Sequence, residues 1–301
     1  MVSIMSVTVS DLAGRLADRL LATMPAGDRR DRLTAELSAT FGGASTSLDE
    51  AGCRAVQACA QRHARHLELH YHPGRTPDPS DDAGGWPPPD PAQVRAHAAG
   101  VTSVRRRDDA WILQLDALEP LALAQPYLEA ALALATGASR LILDLRGNGG
   151  GDPATVAAIA GRLLGAKAQH LSDVVYRDRR RQWWTADRPD GTVFTGPVAV
   201  LTGPRTYSSA EALAYHLQAR GRATVVGEAT RGAADHVTPV RVTREVFGIL
   251  PEAYVLDAST GGNWEGTGVV PDVTCPPDEA LGLLVDGFLV EERERDGREE
   301  R

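Results

Sequence analysis

The sequence predicts an α/β domain with helices packed on a largely parallel sheet, and three observations carry that prediction. Strand-like and helix-like stretches alternate through the second half of the chain, the order expected of βα units. The stretches "RLILDL" and "PVAVLTG" are apolar runs that end in glycine-rich or serine-rich turns, as buried strands do where active sites form at their carboxyl ends. At 301 residues, 43% hydrophobic and 24% charged, the chain can bury a sizeable core.

In chain order, residues 1–72 read as a small helical region ending in a strand. Ser10 is the expected cap of a first helix with Leu12, Leu16 and Leu20 on one face, and "SLDE" (Ser47 to Glu50) reads as a capping box opening another. "RHLELHYHP" then alternates, with Leu67, Leu69 and Tyr71 on one side and His66, Glu68, His70 and His72 on the other, before Pro73 ends it. Residues 73–100, rich in Pro, Gly and Asp, read as an exposed loop or linker.

Residues 101–285 form the expected α/β core. Its elements are a strand in "AWILQLDAL", a helix in "AQPYLEAALALATG" ended by Gly137, the strand "RLILDL" and a helix from Pro153 to Leu164. A hairpin, "VVYRDRRRQWWTADRPDGTVF", is expected to turn at Pro189-Asp190-Gly191; the strand "PVAVLTG", a helix after Ser208 and the strand "ATVVGE" follow. Residues 286–301 have no apolar face and read as a charged, disordered tail.

Composition excludes several classes. A net charge of −8 and a pI near 5.5 argue against nucleic acid as a partner, since duplex binding leans on clustered Lys and Arg. No apolar run approaches the roughly 20 residues needed to span a bilayer. The N-terminus passes straight into an amphipathic helix without a basic, then apolar, leader, which predicts a cytoplasmic protein. Cys53, Cys59 and Cys275 are an odd number at unrelated spacings, so neither a disulfide framework nor a zinc knuckle is expected. Lys167 is the one lysine, which leaves a hydrolase little choice of amine base.

Two turns bear chemistry. In "LTGPRTYSSAEALAYHL" (201–217), Ser208 stands where a helix begins; a serine there is either a cap for an orphan backbone N–H or a nucleophile. "DLRGNGGG" (144–151) reads as a tight βα turn, as a phosphate loop lacking the Walker and dinucleotide spacings, or as glycines whose backbone N–H groups face an oxyanion. The histidines of "RHLELHYHP" also admit a metal site. The run "YRDRRRQWW" is interrupted by acids and reads as a hairpin with a solvated face, its arginines being candidates to meet a peptide's terminal carboxylate.

"LILDLRGNGGG", "VAVLTGPRTYSSAEALAY", "ATVVGEATRGAAD" and "TGGNWEGTGVVPDV" resemble, in order and spacing, the tail-specific or C-terminal processing serine peptidase superfamily, over roughly residues 10–285. The last block and "RHLELHY" are most similar to the branch holding interphotoreceptor retinoid-binding protein repeats and the tricorn protease core. That resemblance implies a crotonase-like α/β core and a serine peptidase acting on peptides or small acyl substrates without a cofactor. It makes Ser208 the nucleophile with Glu211 behind it, and implies an oxyanion hole from Ser209 and Gly149 or Gly150. The lysine of the bacterial members would stand at Ala233, so the resemblance assigns the base to His66 and the acidic partner to Glu265. The tricorn serine before that histidine is replaced by Arg65. The resemblance leaves homo-oligomerisation open, and also a non-catalytic binder of apolar ligands.

Overall fold

The computed structural model of the chain describes residues 7–74, 85–135, 137–188 and 193–285. It comprises two compact units, one from Met1–Pro88, Ser172–Gln182 and Ala233–Leu256, the other from Pro89–Leu171, Trp183–Gly232 and Asp257–Arg301.

The first unit opens with three helices, α1 (Val9–Thr23), α2 (Asp28–Phe41) and α3 (Glu50–Ala60), followed by strand β1 (Glu68–Tyr71). Thr8, rather than Ser10, caps α1: its hydroxyl accepts from Asp11 N at 3.1 Å and Asp11 Oδ2 accepts from Thr8 N at 2.9 Å. Asp49, rather than Ser47, caps α3 through Gly52 N at 2.7 Å. In both cases the side chain one residue outside the first helical turn reaches the orphan donors, which is the requirement for a cap. Leu12, Leu16 and Leu20 are fully buried with Leu33, Leu37 and Val56. They pack against Val246 and Leu250, far along the chain, so this helical region has no complete core without strands that follow much later. Cys53 and Cys59 lie in the same core; burial pushes the Cys53 thiol up to about 11, which keeps it inert.

The sheet of this unit follows the order β1, β10, β5, β6, where β5 is His170–Tyr176, β6 is Arg180–Trp184 and β10 is Val246–Asp257; β9 (His236–Arg241) also pairs with β10. Neither β9 nor β10 is among the elements expected above. The β5–β6 hairpin reverses at Arg177–Arg179, where Tyr176 N donates to Arg179 O at 2.9 Å; the expected turn at Pro189-Asp190-Gly191 lies outside the described residues. Its arginines are locally engaged. Arg177 donates to Leu21 O and Ala22 O, Arg179 stacks on Tyr176, and Arg180 faces Asp173 at 3.7 Å.

The second unit holds a six-stranded sheet in the order β11 (Val273–Thr274), β8 (Thr224–Gly227), β7 (Val198–Thr202), β4 (Arg140–Asp144), β3 (Ala110–Leu115), β2 (Val101–Arg107). Only the β2–β3 pair is antiparallel. Helices α5 (Leu121–Leu134), α6 (Pro153–Leu164) and α7 (Ser209–Ala219) follow β3, β4 and β7. Each step moves the same way across the sheet, and parallel crossovers are right-handed, so the three helices line one face. The opposite face, with Ile112, Ile142, Leu201 and Val226, is covered by Ala280, Leu284 and Val285 from the helical segment at 280–285. Residues 91–96 of the expected linker form a helix instead, α4 (Pro91–Ala96), with Asp90 accepting from Ala92 N at 2.8 Å; Pro at the first helical position is pre-set for it. Residues 75–84 of that linker, and the expected tail at 286–301, lie outside the described residues. Among the described residues no helix is long and apolar enough to cross a membrane.

Candidate active site

Ser208 sits at the junction of β7 and α7, at the helix N-cap, with φ +54° and ψ −122°. An ordinary N-cap has extended backbone; a non-glycine residue here carries about 1–3 kcal/mol of strain that the surroundings must hold. They hold it on both sides. Before the serine, Tyr207 N donates to Asn148 O at 3.0 Å and Thr206 Oγ1 to Leu145 O at 2.8 Å. After it, Ser209 Oγ donates to Gly151 O at 2.7 Å, while Ser208 N donates to Glu211 Oε2 at 2.7 Å.

Glu211 is the hub of this turn. It is 0% exposed, and its other oxygen, Oε1, accepts from Thr230 Oγ1 at 2.5 Å and from Gly232 N at 2.6 Å. Each bond to a carboxylate is worth about 1.5–3 kcal/mol, enough together to keep the charge buried and the serine turn strained. Thr230 Oγ1 in turn accepts from Val269 N at 2.7 Å, and Gly266 N donates to Gly232 O at 2.8 Å. The loop that carries Glu265 is thereby tied to the turn that carries Ser208. Glu265 itself is half-buried, its N–H donating to Asn263 Oδ1 at 3.0 Å.

The glycine turn after β4 meets the serine turn. A Cβ on Gly150, at φ +98°, would lie 2.8 Å from Ser208 Cβ and from Tyr207 O, and 3.0 Å from Ser209 N. The Gly150 N–H is donated inward to Asn148 Oδ1 at 2.8 Å, and Asn148 Nδ2 donates to Leu115 O at 2.9 Å. Gly149 is exposed, and neither its N–H nor that of Ser209 makes a hydrogen bond among the described residues. Asn148, fully buried, was not singled out from the sequence, though it is the one side chain with hydrogen-bonding capacity inside "GNGGG".

His66 belongs to the other unit and precedes β1 rather than lying in it. It is 6% exposed, whereas His70 and His72 of the same alternation are exposed, so the polar face expected there breaks at His66. Its Nδ1 lies 2.5 Å from Asp235 O. A carbonyl only accepts, so Nδ1 carries the proton and the lone pair of the neutral ring is on Nε2. Asp235, buried, is paired with Arg29 at 2.5 Å, and Arg29 stacks on Tyr254, which fixes the segment presenting that carbonyl. Among the described residues no group of three His, Cys, Asp or Glu could hold a metal ion. Ala233, where bacterial relatives would carry lysine, is a buried methyl, and Lys167 is exposed beyond α6.

Two turns along α7 from Ser208, buried His216 donates from Nδ1 to Asp257 Oδ2 at 2.7 Å, and Arg220 adds 2.8 Å to the same oxygen. Burial pulls the His216 pKa below its ordinary 6.5. Burial alone would raise Asp257, but hydrogen bonds from His216, Ser259 and Arg220 outweigh it and hold the carboxyl well below the ordinary 3.8. In both groups the unfolded chain binds the proton more readily, so acid favours unfolding. The stability from a neutral His216 is complete above pH 6.5 and falls below it; that from Asp257 falls below pH 3.8. Melting experiments should show a stability loss of up to about 1.4 kcal/mol per pH unit below the histidine range, and His216→Gln should flatten that limb. An unchanged acid slope in the variant would assign it to other groups.

Comparison with known protein families matches residues 113–275, more than half of the chain, to Peptidase family S41. Among solved structures, a peptidase-designated protein of Parabacteroides merdae is similar at a TM-score of 0.62 and 15% identity, covering 89% of this chain and 90% of its own. A lipoprotein from Streptococcus agalactiae is similar at 0.58 and 17%, covering 92% and 96%. The photosystem II D1 C-terminal processing protease is 24% identical over 56% of this chain and 43% of its own, at 0.45. The first two likenesses show the mixed α/β fold.

Proposed function

This chain belongs to peptidase family S41 and is a serine-type peptidase, and from that premise we propose that it cleaves peptides through an acyl-enzyme on Ser208. Ser208 Oγ attacks the acyl carbon while its proton passes to His66 Nε2. The resulting oxyanion is held by the N–H groups of Ser209 and Gly149, since the Gly150 N–H is already given to Asn148. His66 returns the proton to the leaving amine, and water repeats the cycle to release the acyl group. Glu265 is the carboxylate that stabilises the imidazolium, and the Asp235 carbonyl shares the task of orienting the ring.

The observation that carries this reading is the Ser208 turn. A strained serine at a strand-to-helix junction, backed by a glycine whose missing Cβ leaves the Ser209 N–H open, is the arrangement a nucleophile needs. A helix cap needs none of it.

A fluorophosphonate probe tests the proposal. Stoichiometric labelling that maps to Ser208 by mass spectrometry is expected, slowed about 100-fold or more in His66→Gln. Labelling as fast without the imidazole would give the base to another group; no adduct at Ser208 would remove the nucleophile.

A further inference from the structure

Arg231 differs from the residues on either side of it. Thr230 and Gly232 are buried and both give hydrogen bonds to Glu211, at 2.5 and 2.6 Å, while Arg231 between them is exposed. Its backbone is held as firmly as theirs. Arg231 N donates to Thr206 O at 3.3 Å and Thr230 N to Val269 O at 3.2 Å. A Cβ on Gly232, at φ +88°, would meet the backbone of Gly266 and Gly268 at 3.0 Å. The loop has little room to shift, so the Arg231 side chain projects from a rigid base.

Its guanidinium lies 4.5 Å over the ring of Tyr207, the residue before Ser208. That ring is half-buried, and its residue is anchored by Tyr207 N donating to Asn148 O at 3.0 Å. A guanidinium stacked by its face keeps the N–H donors along its edge, the geometry that meets a carboxylate with two parallel bonds. Those donors make no hydrogen bond or ion pair among the described residues. The buried acids of the same turns are committed elsewhere, Glu211 to Ser208, Thr230 and Gly232, and Asp235 to Arg29. A chain of net charge −8 thus keeps a positioned cation, with no carboxylate of its own, beside the serine turn.

We infer that Arg231 is a specificity-determining residue, which takes an aspartate or glutamate side chain of the peptide next to the bond that Ser208 attacks. One aromatic ring separates the cation from the backbone that leads into Ser208, and consecutive peptide residues lie about 3.8 Å apart. A carboxylate on the guanidinium edge therefore belongs to a residue close to the attacked carbonyl. The place of the cut relative to that acid rests on the proposed nucleophile; the binding preference for an acidic side chain does not.

The test is equilibrium binding, to full-length Ser208→Ala protein, of fluorescent peptides capped at both ends and identical except for a central glutamate, glutamine or lysine. The glutamate peptide should bind about tenfold more tightly than the glutamine peptide, the equivalent of one charge-assisted hydrogen bond, and the lysine peptide most weakly. Arg231→Met should erase this order and Arg231→Glu should reverse it in favour of lysine, a reversal that a misfolded chain would not give. Tyr207→Leu, which removes the ring and leaves the cation, should narrow the glutamate preference severalfold. Equal binding of the three peptides, whether tight or beneath detection, would overturn the inference, and so would a glutamate preference that survives Arg231→Met. A glutamine peptide that gains the same tenfold once its C-terminal cap is removed would also overturn it, because the cation would then read a chain end and not a side chain. Fluorophosphonate labelling of wild-type protein separates the two ideas. Labelling at Ser208 without a glutamate preference removes the role of Arg231 alone, and a preference without labelling removes the catalytic reading alone.

Discussion

Ser208→Ala should lower kcat for peptide cleavage by a factor of about 10⁴ or more and abolish labelling by a fluorophosphonate, with KM and fold little changed. The backbone bonds that hold the turn, Ser208 N to Glu211 and Ala212 N to Ser208 O, survive the substitution, and so do those of Tyr207 and Ser209 on either side. If Ser208 were only a helix cap, the pattern would invert: about 1 kcal/mol of stability lost and turnover almost untouched. Strain gives a second readout. Glycine adopts φ +54° without penalty, so Ser208→Gly should be as inactive as the alanine variant yet at least as stable. A cap without strain would show no such order. Retained cleavage in both variants would leave the fold as a shell that holds ligands.

Both turns were legible because each is local: an apolar run, a small-residue turn, then a helical pattern, all within some twenty residues of sequence. The alternation of β3, β4, β7 and β8 with α5, α6 and α7 follows from the same local signals; their order across the sheet does not. What was not legible depends on pairing across the chain. The leucines of α1 predict a buried face, but nothing near them says that β10, more than two hundred residues on, covers it. Likewise His66 was grouped with exposed histidines by its two-residue spacing; its burial and its bond to the Asp235 carbonyl come from a segment 169 positions away. A backbone carbonyl leaves no mark in a sequence, because every residue has one. Asn148 could have been found: an amide amid glycines at a strand end has no exposed reason to be there and every reason to turn inward.

The three glycines after Asn148 have separate tasks, and substituting them one at a time tests the oxyanion hole more sharply than any catalytic side chain. Gly150→Ala should destabilise the protein by about 2–4 kcal/mol, because the new Cβ meets Ser208 Cβ and Tyr207 O at 2.8 Å with φ at +98°. Tyr207 cannot yield easily, its N–H being held by Asn148 O. In the folded fraction kcat should fall about 100- to 1,000-fold, the cost of one lost oxyanion donor, because that Cβ also lies 3.0 Å from Ser209 N. Gly151→Ala should destabilise for a different reason: its Cβ would run into Leu118 O, and Gly151 is bridged to Leu118, so the clash is with that bridge and not with the Ser208 side chain. Gly149→Ala meets nothing within 4 Å and keeps its N–H; stability should hold to within about 0.5 kcal/mol, with most activity retained. Calorimetry beside single-turnover kinetics on the three variants distinguishes a tight βα turn from a donor site. Equal losses at 149, 150 and 151 would make the glycines a matter of the turn alone, whereas a kinetic loss concentrated at 150 ties the missing Cβ to the chemistry at Ser208.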